Sequence, residues 1–229
     1  MNTDERLVMS DSDVSDAFAS AGAEHGFDNV KAEFSAFKDF KIRWSRSNHW
    51  AEFEVSDYLI NAPYGVIKSL ADTIFRKIRA EDAEYDEDVV AWLTRDEFVA
   101  TNRSVYIRRN SLKPAGEGDR LGRSVARVAD AHPGLTDGIE FTWGKPGRRT
   151  AGRSSVLMRV ANVNEYLANE YEDVPDDVMD WIVYALATRV GMGFTSRGRD
   201  AEDEEYRKRL GEPADDVRNW LDSHGMHTD

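Results

Sequence analysis

Cysteine is absent from these 229 residues, which excludes disulfides, thiolate metal ligands and a Cys nucleophile and suits a reducing cytosol. Histidine is nearly as sparse. His25, His49 and His132 stand alone, while His224 and His227 have a ligand-like spacing but fall beside Gly225 in the last six residues, where chains fray. No metal site or cofactor is expected from them. Long apolar runs are missing too: nothing approaches the roughly 18 residues that a membrane span needs. The start, Met1-Asn-Thr-Asp-Glu-Arg, has no charged stretch leading into an apolar one, so a soluble, cytoplasmic chain with no membrane partner is expected. Positive charge is in short supply as well, with 30 Lys and Arg against 43 Asp and Glu and a net charge of −13. That balance opposes coating nucleic acid through bulk charge.

The basic residues that are present are concentrated. Between Arg103 and Arg159, 12 basic residues stand against 5 acidic ones. Within this band Lys145, Arg148, Arg149 and Arg153, set among glycines, form a candidate anion- or phosphate-binding loop, because Arg supplies bidentate donors and Gly lets backbone amides approach. With Arg103, Arg108, Arg109, Arg120, Arg123 and Arg127 they make a candidate nucleic-acid face; alternatively they pair with the surplus carboxylates. The spacing matches no P-loop or dinucleotide fingerprint. The acidic runs Glu81–Asp88 and Asp200–Glu205 lack the alternating ligands and central Gly of a calcium loop and read as solvated helix starts.

Hydrophobic periodicity predicts an α+β fold in which short antiparallel strands pack against several helices. Residues 1–37 read as an N-terminal helical segment interrupted at Gly22 and Gly26. Residues 38–111 form a first strand-strand-helix half, with strands at Phe40–Trp44 and Ala51–Leu59 joined by a turn, then a helix led by Pro63. A second helix carries Val89 to Val99, and Ser104–Arg109 reads as a short strand. Residues 112–135 are a linker and a helix over Arg120–Ala131, ended by Pro133-Gly134. Residues 136–229 form the second half, with strands at Ile139–Trp143 and Val156–Val163, a long loop between them, a helix led by Pro175 and two closing helices. Trp44, Trp92, Trp143, Trp181 and Trp220 fall at core-facing spacing, and Trp50 falls in a turn.

The two halves share a vocabulary. Trp44, Val55, Tyr58, Leu59 and Pro63 correspond to Trp143, Val163, Tyr166, Leu167 and Pro175, and Asp-Val-x-x-Trp-Leu recurs at Asp88–Leu93 and Asp216–Leu221. Either the chain contains a duplication or strand, strand, Pro, helix is a common local grammar used twice. The interval from Trp to Pro is 19 residues in the first half and 32 in the second.

The run from Trp143 through Arg153, the strand Met158–Asn164 and the helix from Val174 to Thr188 resemble zincin-like metallopeptidases of the SprT and YgjP-like type. That resemblance implies a zincin-like fold over about residues 139–221 and a helix carrying His-Glu-x-x-His. The motif needs two His on one helical face with a Glu between them. Its positions are occupied by Tyr184, Ala185 and Thr188, and the family's downstream ligand falls near Glu202. Neither a ligand pair nor a general base is present. The expected function is therefore a non-catalytic zincin-like protein, binding or assembling with a protein partner through a cleft at those four residues. The alternatives are a nucleic-acid-associated module using the basic band, or an enzyme of other chemistry in the same cleft.

Overall fold

A computed structural model describes residues 8–79, 81, 83–145, 147, 149–169, 174–196 and 199–228. The chain divides at Phe98/Val99 into two compact units, Met1–Phe98 with Thr195–Arg197, and Val99–Phe194 with Gly198–Asp229. Each has its own sheet.

The first unit opens with α1 (Asp11–Glu24). Ser10 caps it reciprocally, its hydroxyl taking the Asp13 amide at 3.2 Å while the Asp13 carboxylate takes the Ser10 amide at 2.8 Å. Val14, Ala17, Phe18 and Ala21 form its buried stripe. His25 is the C-cap, and Gly26, at φ 77°, turns the chain out of the helix. Next come β1 (Asn29–Ser35), β2 (Ile42–Arg46) and β3 (Trp50–Ser56). They lie in the order β1-β3-β2, with β1 parallel and β2 antiparallel to β3. On the free side of β1, the amides of Ala32 and Phe34 donate to Ser15 Oγ and Asp11 Oδ1, so α1 seals that edge. A 3-10 turn (Asp57–Leu59) leads to α2 (Tyr64–Ile78), for which Pro63 is the N-cap. Phe18, Phe53 and Phe75 meet at ring-centroid distances of 4.7 and 5.3 Å and fill the space between helices and sheet. The short α3 (Glu87–Leu93) packs on α2 through buried Val89, Trp92 and Leu93.

The helix α4 (Asp96–Arg109) includes residues 104–109, which the sequence suggested as a strand. The expected continuous helix over Val89–Val99 is two helices. Thr94 closes the first of them, its hydroxyl bonding back to Val90 O at 2.9 Å.

The second unit contains β4 (Lys113–Pro114), α5 (Arg120–Ala131), β5 (Glu140–Gly144), β6 (Thr150–Ser155), β7 (Val160–Asn164), α6 (Tyr166–Asn169), α7 (Asp176–Gly191), α8 (Arg199–Leu210), α9 (Asp215–Ser223) and β8 (His227–Thr228). Its sheet runs β4-β5-β7-β6-β8. Inside it, β5-β7-β6 repeats the pairing of β1-β3-β2, with β5 parallel and β6 antiparallel to β7. Both sheets are mixed, whereas antiparallel strands were expected. The difference arises from β1 and β6, which the sequence reading took as helix and loop. Val156–Arg159 is the turn between β6 and β7, not part of a strand, and Arg159 sits at φ 50°. The core lies between this sheet, α5 and α7.

The repeated pairing corrects the register of the repeat. In both units the Val of Val-x-x-Tyr-Leu lies in the middle strand, Val55 opposite Phe34 and Ile42, Val163 opposite Trp143 and Gly152. Trp143 therefore answers to Phe34, and Trp44, on the opposite edge, answers to Ser154. In this register 29 residues separate Phe34 from Pro63 and 32 separate Trp143 from Pro175. Counted from the prolines, the six buried residues of α2 (Ile67, Leu70, Ala71, Thr73, Ile74, Phe75) fall on six buried residues of α7 (Met179, Ile182, Val183, Ala185, Leu186, Ala187). Val217 and Leu221 of α9 pack on α7 as Val89 and Leu93 of α3 pack on α2.

Candidate functional site

Among the four residues expected to line a cleft, Tyr184, Ala185, Thr188 and Glu202, Ala185 is fully buried in the core. Tyr184 is half-buried, its ring 4.7 Å from His132 and 5.9 Å from Trp181. Thr188 is buried, with a hydroxyl that meets no partner among the described residues. Glu202 lies on α8, and its backbone carbonyl receives Arg189. Helical geometry explains the outcome: on a helix buried nearly all round, consecutive residues cannot share one open face. Thr188 and Ala185 are wall and core, while Tyr184 supports α5.

The basic band is also dispersed. Arg103 donates to the carbonyls of Met158 and Gly138, Arg120 to Leu167 O and Arg123 to Gly118 O. Arg127 grips Asp180 through two bonds of 2.8 Å, and Ser124 adds a third at 2.6 Å. Lys145 reaches Glu165 at 3.0 Å, with Lys113 at 3.7 Å on the same carboxylate, and the Lys145 bond holds the Glu165 carboxyl below the usual carboxylate range. Arg149 and Arg153 are exposed, and Arg148 lies outside the described residues. Most of these cations thus hold the second unit together. The described residues contain no group of three or more side chains placed to share a metal ion, and no helix among them is long and apolar enough to cross a membrane.

An open concavity lies in the first unit. A groove of about 780 Å³ runs between α1 and the sheet, lined by Asp11, Ser12 and Ser15, by Lys31–Glu33, by Arg43–Ser45 and by Glu52–Glu54. Trp44 stands at its margin, 50% exposed on edge strand β2. Burial was expected for this tryptophan and fails because β2 is the outermost strand of its sheet. Trp50, expected in a turn, begins β3 and is 39% exposed. The other exposed residues of β2, Arg43, Ser45 and Arg46, are polar.

Sequence reasoning did not single out β2 as a candidate, although its composition is distinctive. Lys41–His49 carries three basic residues and no acid inside a chain of net charge −13, and a Trp lies at its centre. Against known proteins, the chain matches no family model, no curated protein and no solved structure.

Proposed function

We propose that this protein is a non-catalytic binding module built from two copies of one helix–three-strand–helix unit, with a protein partner as its ligand. The observation that carries this reading is the state of Ala185. The position where a zinc peptidase holds its general base is here an alanine sealed in the core, beside a Tyr and a Thr that serve packing. The open groove and exposed aromatic residues of the first unit supply an alternative place for recognition.

A zincin-like descent enters this reading only through its non-catalytic half. The order strand, strand, Pro-led helix supports such a descent, and the tandem unit accounts for the same order without it.

The test is metal and peptidase analysis of the purified chain after dialysis against zinc. The expected result is much less than one zinc per chain and no chelator-sensitive cleavage of casein. One zinc per chain, lost to chelator together with a hydrolytic activity, would overturn the reading.

A further inference from the structure

The two units differ at one edge. In the second unit the outer side of β6 is occupied by the parallel strand β8, His227 opposite Thr150 and Thr228 opposite Gly152. The equivalent strand in the first unit, β2, has no neighbour on its outer side among the described residues. Ser47 N donates to Trp50 O, and antiparallel pairs alternate, so Ser45 and Arg43 bond towards β3 while the peptide groups of Ile42, Trp44 and Arg46 point outward. Such an edge is a ready template for another strand.

We propose that β2 is a docking edge for an extended acidic segment of a partner protein, which adds to the first unit's sheet as β8 adds to β6. The proposal rests on the binding-module reading and names its partner chemistry. Charge selects the occupant: Lys41 and Arg43 stand on one face of this edge and Arg46 on the other, beside Trp44, with no acid among Lys41–His49; Glu54 of β3 lies 4.0 Å from Arg43, and carboxylates at alternate positions of the incoming strand complement Lys41 and Arg43 from the outer side. A second copy of β2 is disfavoured by the same charges, since antiparallel self-pairing about Trp44 would bring together two strands that each carry Arg43 and Arg46. Trp44 occupies the place of Ser154, whose hydroxyl is turned inward to Leu186 O at 3.2 Å. In the first unit that place instead offers an exposed indole, an anchor for an apolar side chain between the carboxylates.

The probe is a fluorescein-labelled heptapeptide, Gly-Glu-Val-Glu-Val-Glu-Gly, titrated with the full chain by fluorescence polarisation at low ionic strength. Two partners serve as controls: the same peptide with Lys in place of Glu, and versions N-methylated at one or the other alternate set of amides. The expected result is saturable binding of the Glu peptide alone, abolished by methylation of one alternate set and retained with the other. Trp44→Ser, which copies the second unit, weakens binding about tenfold or more, and R43E/R46E abolishes it, with circular dichroism spectra that keep the fold. The proposal is overturned by no binding of the Glu peptide to the unaltered chain, by equal binding of the Lys peptide, by indifference to methylation register, or by a dimer in sedimentation that R43E/R46E dissociates. Any of these leaves the non-catalytic reading standing, whereas stoichiometric zinc with peptidase activity removes that reading whatever the peptide does.

Discussion

His25 and His132 hold the same place in the two units: each is the C-cap of the helix that precedes the three repeated strands, and each meets the long helix at the ninth residue after its leading proline. His25 Nε2 lies 2.7 Å from the carboxylate of Asp72 and its ring stacks on Phe75 at 5.8 Å, while the His132 ring lies 4.7 Å from that of Tyr184, tilted by 37°. One position thus joins the same two helices by a polar and a ring contact in one copy and by a ring contact in the other. His132→Ala is expected to lower stability by about 1 kcal/mol through the lost ring contact, and His25→Ala by about 1–2 kcal/mol through the lost hydrogen bond and the lost stacking on Phe75. Urea denaturation of the two variants measures both. Raising the salt concentration should leave the His132→Ala effect in place, because contact between rings is not screened as charges are.

The next tie between the same helices reverses its charges. In the first unit Lys68 of α2 meets Glu24 of α1 at 2.9 Å. In the second, Asp180, the equivalent of Lys68 counted from the proline, meets Arg127 of α5. The second tie is the more consequential, because Asp180 also accepts from Ser124 and because two parallel bonds fix the guanidinium. Asp180→Ala is expected to cost about 2 kcal/mol, and a double-mutant cycle with Arg127→Ala to return a coupling of about 1 kcal/mol, since the pair is partly exposed. Lys68→Ala should shift the denaturation midpoint by less.

How much of this was legible in the sequence depends on the strand. The Pro-led helices announce themselves through an unbroken apolar stripe, and Arg120–Ala131 was readable to the residue because Asp119 and Pro133 bracket it. The strands β1 and β6 were not read. In β1, Val30, Ala32 and Phe34 alternate as a strand should, but Val30, Phe34 and Phe37 also fit a helical face. In β6, Thr-Ala-Gly-Arg-Ser-Ser carries no hydrophobic alternation at all; pairing on both sides and contact with α7 make it a strand. With both missed, Trp44 was aligned to Trp143, and the repeat looked looser than it is. Tyr184, Ala185 and Thr188 could be placed on a helix from the sequence, but not their burial, since only the surrounding elements decide which way a helix faces.

Gly152 shows what that contact with α7 demands. A Cβ at this position would lie 2.6 Å from Leu186 Cδ1 and 3.0 Å from Asn162 O, and Leu186 is fully buried. Gly152→Ala is therefore expected to cost about 1–3 kcal/mol, in line with overpacking of a filled core. Leu186→Ala alone costs about 2–5 kcal/mol. The double variant should be more stable than the sum predicts, because each change relieves the other, and a thermal denaturation cycle reads that non-additivity directly.

Asp119 supplies the pH dependence. Its carboxylate caps α5, taking the amides of Gly122 and Gly116 at 2.8 Å each and the indole N–H of Trp143 at 3.1 Å. Burial pushes this carboxyl up, but those donors together outweigh it and hold it below the usual carboxylate range. A folded-state pKa lowered in this way means that the unfolded chain binds the proton more readily. The stabilisation is then complete above the unfolded value of about 3.9 and is lost as pH falls through the lower folded value. Asp119→Asn keeps an oxygen for the cap but removes the charge, so its deficit against the parent chain should be largest near neutral pH and shrink in acid. Asp119→Ala loses the cap as well, leaves the buried Trp143 N–H without its acceptor, and should cost about 2–3 kcal/mol at neutral pH. Urea midpoints of the three proteins between pH 7 and pH 3 check this. A constant Asp119→Asn deficit across that range would mean that the cap works through geometry alone.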